Sequence, residues 1–68
     1  MIKEVRTYWC DGQPQDEDIQ KGLDIAKTDK CIVNIRWTVH WSGVFTVSMN
    51  EESTVEEVKE QLPKGYPV

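Results

Sequence analysis

Few side chains in this 68-residue sequence are of the types that break bonds: two cysteines, Cys10 and Cys31, one histidine, His40, and a run of acids, Asp16-Glu17-Asp18. A thiolate nucleophile needs a neighbouring base or a positive field. Cys31 and His40 are nine positions apart, which on an extended strand puts them on opposite faces. Cys31 belongs to an apolar series, where an inert buried thiol is the usual outcome. Cys10 precedes Asp11, whose negative charge disfavours the thiolate. There is no Cys-x-x-Cys, no His-containing metal cluster, no phosphate-binding glycine loop and no nucleophile motif. The three acids hold a hard cation loosely at best, since the spacing of a calcium-binding loop is missing. The expectation is a non-catalytic chain with no cofactor and no metal.

The two cysteines do not suit a disulfide. Cys10 closes the first predicted strand and Cys31 opens the second, with a helix between them. A parallel crossover sets them at opposite ends of a strand roughly 30 Å long, far beyond the ~7 Å Cα limit for a bridge. Free thiols fit a reducing, cytoplasmic setting. The first ten residues alternate polar and apolar and lack the apolar run of a signal peptide. The longest uncharged run, Trp37 to Asn50, is interrupted by Thr38, His40, Ser42, Gly43, Thr46 and Ser48, so no membrane span is expected.

These residues must be positioned by a small number of elements. Residues 2–10 are rich in β-formers and read as a strand with Val5, Thr7 and Trp9 inward and Glu4, Arg6 and Tyr8 outward. The opposite phase stays open, because Ile2 and Tyr8 also suit an inner face. Asp11-Gly12 is a turn and Pro14 a helix entry. Ile19, Leu23 and Ala26 then form a helical stripe flanked by Ile25, with the acids at its N-terminus and Lys27 and Lys30 at its C-terminus. Gly22 inside this helix implies close packing on the sheet.

Cys31 to Trp41 is the strongest periodic segment. Cys31, Val33, Ile35, Trp37, Val39 and Trp41 alternate with Asn34, Arg36, Thr38 and His40, the pattern of a half-buried strand. Val44 to Asn50 repeats it with Phe45, Val47 and Met49 inward. A three-residue loop Trp41-Ser42-Gly43 pairs Val39 with Phe45, Trp37 with Val47 and Ile35 with Met49, and sets Trp41 on the hairpin tip. Ser53-Thr54-Val55-Glu56 predicts a capping box with Ser53 as cap. A helix then buries Val55, Val58 and Leu62, and Pro63 ends it.

The order is β-α-β-β-α: a single α+β domain over residues 1–68, a three-stranded mixed sheet with both helices on one face. Strand order 1-3-2 is favoured over 1-2-3, because strands of parallel sheets are usually apolar on both faces.

Charge is segregated along this order. Residues 11–30 carry six acids and three bases and residues 51–68 five acids and two bases, so each segment sums to −3 within a net charge of −4. Residues 1–10 and 31–50 each sum to +1. Solubilising charge on short helices explains most of this. The sheet face opposite the helices is expected to present Arg6, Tyr8, Arg36, Thr38, His40 and Thr46, with Trp41 at its edge. The partner-binding candidates are thus Arg6, Tyr8, Arg36, His40 and Trp41, with Trp9 and Trp37 in the core. The expected function is that of a small protein-interaction or regulatory domain, able to form a homodimer, of the kind that phages and mobile elements often encode. The alternative is single-stranded nucleic acid binding through Arg6, Tyr8, Arg36 and His40. It is disfavoured by the net charge and by the lack of a basic patch. The acidic helices suggest a further variant, a chain occupying a nucleic-acid groove on another protein.

Overall fold

A computed structural model describes residues 3–39 and 43–62 of the chain. The elements run β1 (Val5–Trp9), α1 (Asp16–Asp29), β2 (Ile32–Val39), β3 (Gly43–Met49) and α2 (Val55–Glu60). This is the expected β-α-β-β-α chain, an α+β fold with one mixed sheet. No helix among the described residues is long and apolar enough to cross a membrane.

The helices start where side chains can satisfy free backbone amides. Before α1, the Gln15 amide donates to Asp18 Oδ2 at 2.9 Å. Asp16 of the same acidic run reaches Lys59 of α2 at 3.3 Å. Two of the three acids are therefore engaged in capping and in bridging the helices. α1 ends on Lys30 in the left-handed region, φ 52°. For α2 the cap is one residue later than expected: the Glu57 amide donates to Thr54 Oγ1. Ser53 is taken by the preceding turn, where its Oγ accepts from the Asn50 amide and its own amide donates to the Asn50 carbonyl. Leu62 and Val55 pack against the core as partly buried neighbours of the buried Val58. Pro63 lies outside the described residues.

The sheet order is β1-β2-β3, which corrects the favoured 1-3-2. β2 is central, parallel to β1 and antiparallel to β3. Its half-polar pattern has a different origin: the helices cover one face of β2 and leave the other to Ile32, Asn34, Arg36 and Thr38. The hairpin register also differs from expectation by two residues. Trp37 pairs with Phe45, Ile35 with Val47 and Val33 with Met49, and Val39 pairs with Gly43. A shift of two keeps every side chain on its face. Gly43 at φ 93° is already a paired strand residue, a conformation glycine enters at little cost. His40, Trp41 and Ser42, between the paired Val39 and Gly43, lie outside the described residues.

The core is Ile19, Leu23 and Ala26 of α1, Val58 of α2, and Cys31, Val33, Ile35, Trp37, Val47 and Met49 on the helix face of the sheet. Trp37 is 1% exposed and stacks on Phe45 with ring centroids 5.8 Å apart. Gly22 lets α1 approach closely: a Cβ there would lie 2.7 Å from Met49 Sδ. The helices cover β2 and β3 and leave β1 overhanging.

Candidate functional site

β1 is the strand that departs most from expectation, and the reason lies in its register. Residues paired in a parallel ladder share a face. Arg6 pairs with Val33 and Tyr8 with Ile35, whose side chains lie under the helices. Arg6 and Tyr8 therefore belong to the helix face, and Val5, Thr7 and Trp9 to the open face. The expected phase is inverted. The helices lie on the other face of the sheet, so the inversion leaves Trp9 59% exposed rather than in the core.

The open face is thus built from Val5, Thr7 and Trp9 of β1, Ile32, Asn34, Arg36 and Thr38 of β2, and Val44, Thr46 and Ser48 of β3. Arg36 is the only charged residue among them. Its guanidinium carbon lies 5.0 Å from the centre of the Trp9 ring, a cation–π contact between neighbours on paired strands. Arg36 Nε is buried without a hydrogen-bond partner among the described residues. The Trp9 ring takes the place of a polar partner and is itself held in position by the cation. Val5, 54% exposed, shares the face on the same strand, and Val44, 46% exposed, lies on the far strand.

Of the expected contact residues, the structure leaves Arg36 on the open face and moves Arg6 and Tyr8 off it. Arg6 donates to both Glu4 and Asp29, two carboxylates that hold its guanidinium charged. The same contact keeps the Glu4 carboxyl below the usual carboxylate range. Tyr8, with Cys10, Gly22, Ile25 and Ile35, lines a shallow apolar groove beside α1. His40 and Trp41 lie outside the described residues. Trp9 and Val5 were not among the sequence candidates, although the alternative phase of residues 2–10 contains them.

Both cysteines are free. Burial, and secondarily the Asp18 charge, pushes the Cys10 thiol up and so disfavours the reactive thiolate. Cys31 is buried, its Sγ making only a long 3.9 Å contact to the Ile25 carbonyl. Among the described residues no group of three or more His, Cys, Asp or Glu is placed to hold a metal ion. What this arrangement offers is a nearly uncharged face on which an exposed aromatic ring rests against a cation.

The chain matches no protein family model, no curated protein and no solved structure.

Proposed function

We propose that the chain is a small non-catalytic protein-interaction domain of regulatory type, which binds through the β1 side of its open sheet face. One observation carries this reading: Trp9 stands 59% exposed and is fixed by Arg36 rather than folded into the core. Ordering a large exposed ring in advance lowers the cost of binding, and Trp and Arg are the residues that most often dominate protein interfaces. The two free thiols suit a cytoplasmic setting. Single-stranded nucleic acid also stacks on exposed aromatics. Its phosphates need several cations along the track, and the described open face supplies Arg36 alone. A protein surface is the better match.

The test compares wild type with Trp9→Ala and Arg36→Glu for binding of the purified protein partner, whether a further copy or another chain. Trp9→Ala is expected to cost about 2 kcal/mol of binding or more, as a central anchor does. Unchanged affinity in Trp9→Ala overturns the proposal. Binding of a single-stranded oligonucleotide at low salt, abolished by Arg36→Glu, replaces it with the nucleic-acid reading.

A further inference from the structure

We infer that the occupant of this surface is a second copy of the chain, whose β1 adds antiparallel to the free edge of β1 to give a continuous sheet of order 3-2-1-1-2-3. This rests on the reading of the β1 side as the contact surface and names its partner.

The two edges of the sheet differ. In a parallel ladder, alternate residues direct their backbone groups to the neighbouring strand. The Ile32 amide donates to the Glu4 carbonyl at 2.9 Å and the Cys10 amide to the Arg36 carbonyl at 2.7 Å. Positions 4, 6, 8 and 10 therefore face β2, and the N–H and C=O groups of Val5, Thr7 and Trp9 point away from the sheet. No side chain among the described residues covers them. On β3, by contrast, Gln61 Nε2 donates to the Ser48 carbonyl at 2.8 Å and Gln61 Oε1 accepts from the Ser48 amide at 2.9 Å. An amide side chain occupies the place of a further strand there. Sheets commonly guard an open edge with proline, a bulge or an unpaired charge. Val5, Thr7 and Trp9 offer none, and Arg6, the one charge within β1, is already matched by Glu4 and Asp29.

The strand is also complementary to itself. A two-fold axis through Thr7 overlaps the whole of Val5–Trp9 with its copy. Val5 of each copy then stands opposite Trp9 of the other, and Thr7 opposite Thr7. These are the residues with outward backbone groups, so each pair exchanges two backbone hydrogen bonds. Val opposite Trp is a favourable cross-strand pair, and it covers the two most exposed apolar side chains of the strand at once. On the other face Arg6 comes opposite Tyr8, whose ring is 41% exposed. Charge permits the approach. α1 sums to −3 and α2 to −2, both placed over β2 and β3, while residues 1–10 sum to +1. Two chains of like net charge meet along a strand that is not acidic.

Sedimentation analysis from micromolar to millimolar concentration tests this. The wild type is expected to show a reversible monomer–dimer equilibrium. Thr7→Pro removes only an outward N–H and leaves the β1–β2 ladder intact. The loss of two symmetric hydrogen bonds is expected to weaken the dimer roughly a hundredfold. If proline disturbs folding, Thr7→Lys and Thr7→Glu serve instead. Each alone sets like charges together on the axis and is expected to be monomeric, and an equimolar mixture is expected to recover the dimer. A wild type that stays monomeric at millimolar concentration overturns the inference, and so does a dimer that both charged variants leave intact. A monomeric wild type whose binding to a different purified protein is lost in Trp9→Ala overturns the dimer and leaves the interaction reading standing. A chain that neither self-associates nor changes its partner affinity on Trp9→Ala overturns both.

Discussion

At the β3 edge of the sheet the Gln61 side chain gives Ser48 a donor and an acceptor, whereas at the β1 edge Val5, Thr7 and Trp9 meet no such cover among the described residues. The burial of the two strands follows the same division. Val47 and Met49 of β3 are sealed beneath the helices, while no residue of β1 is fully buried. Both strands are β-formers of similar composition, so the difference does not come from propensity. It comes from where the helices sit. A core this small covers two strands well or three strands poorly, and here α1 and α2 settle over β2 and β3. The third strand is held by its ladder to β2, by the Trp9–Arg36 contact and by Arg6 between Glu4 and Asp29. Buried apolar contacts are concentrated on one side of the sheet and exposed aromatic and apolar groups on the other.

Substitution across the two strands should break this comparison if it is wrong. Met49→Ala is expected to cost about 2–5 kcal/mol, since a fully buried side chain leaves a cavity between Ile35 and α1. In a domain of this size that is much of the total stability. Trp9→Ala removes a larger side chain and is expected to cost under about 1 kcal/mol in dilute monomer, since the lost cation–π contact is partly exposed. Urea unfolding of both variants checks the ranking, and equal costs would mean that β1 is as deeply anchored as β3. Gln61→Ala comes next, at about 1–2 kcal/mol for two hydrogen bonds to the backbone. Its sharper reading is hydrogen exchange. The Ser48 amide is expected to be protected in wild type and to lose protection in Gln61→Ala. The Thr7 amide is expected to exchange fast in dilute protein and slowly where the dimer forms.

The division between the strands was only half legible in the amino-acid sequence. Ile19, Leu23 and Ala26 at helical spacing, and Val33, Ile35 and Trp37 at alternate positions, identify the core because each series has a single apolar phase. Residues 2–10 have two, with Val5 and Trp9 on one parity and Tyr8 and Cys10 on the other. An edge strand that no helix covers has nothing to select between them. Strand order is not a local property either, and the polar positions of β2 pointed to 1-3-2 because one-sided burial of a central strand produces the same alternation. The hairpin register slipped by two without changing any face, and the paired Gly43 with φ 93° marks the difference. Ser53 and Thr54 are adjacent residues of equal capping ability, separated only by the claim of Asn50 on Ser53. Gln61 gave no signal at all, since a glutamine after a helix is a common solvated residue until its amide is seen against Ser48.

The gentlest test of the comparison is pH. Glu4 is held below the usual carboxylate range first by its hydrogen bond to Arg6, and Glu51 first by its hydrogen bond from Lys3. A carboxyl whose value is lower in the folded than in the unfolded chain contributes stability that is present above the unfolded value. That contribution fades as pH falls through the folded one. Each pair has a member beside or within β1, Glu4 with Arg6 and Lys3 with Glu51 of the turn after β3, and both are open to solvent, so their contribution is small and screened by salt. Acidification below the ordinary carboxylate range is therefore expected to loosen β1 before it loosens β3. Amide exchange measured at falling pH and corrected for intrinsic rates should show the Tyr8 and Cys10 amides opening first. Those of Val47 and Met49 should hold until the whole domain unfolds. Added salt should shrink the pH-dependent part of the β1 opening, because the ion pairs beside β1 are then screened at every pH and the apolar contacts that hold β3 are not. Simultaneous loss on both strands at low salt would mean that the ion pairs do not anchor β1, and that its ladder to β2 and the Trp9–Arg36 contact set its stability.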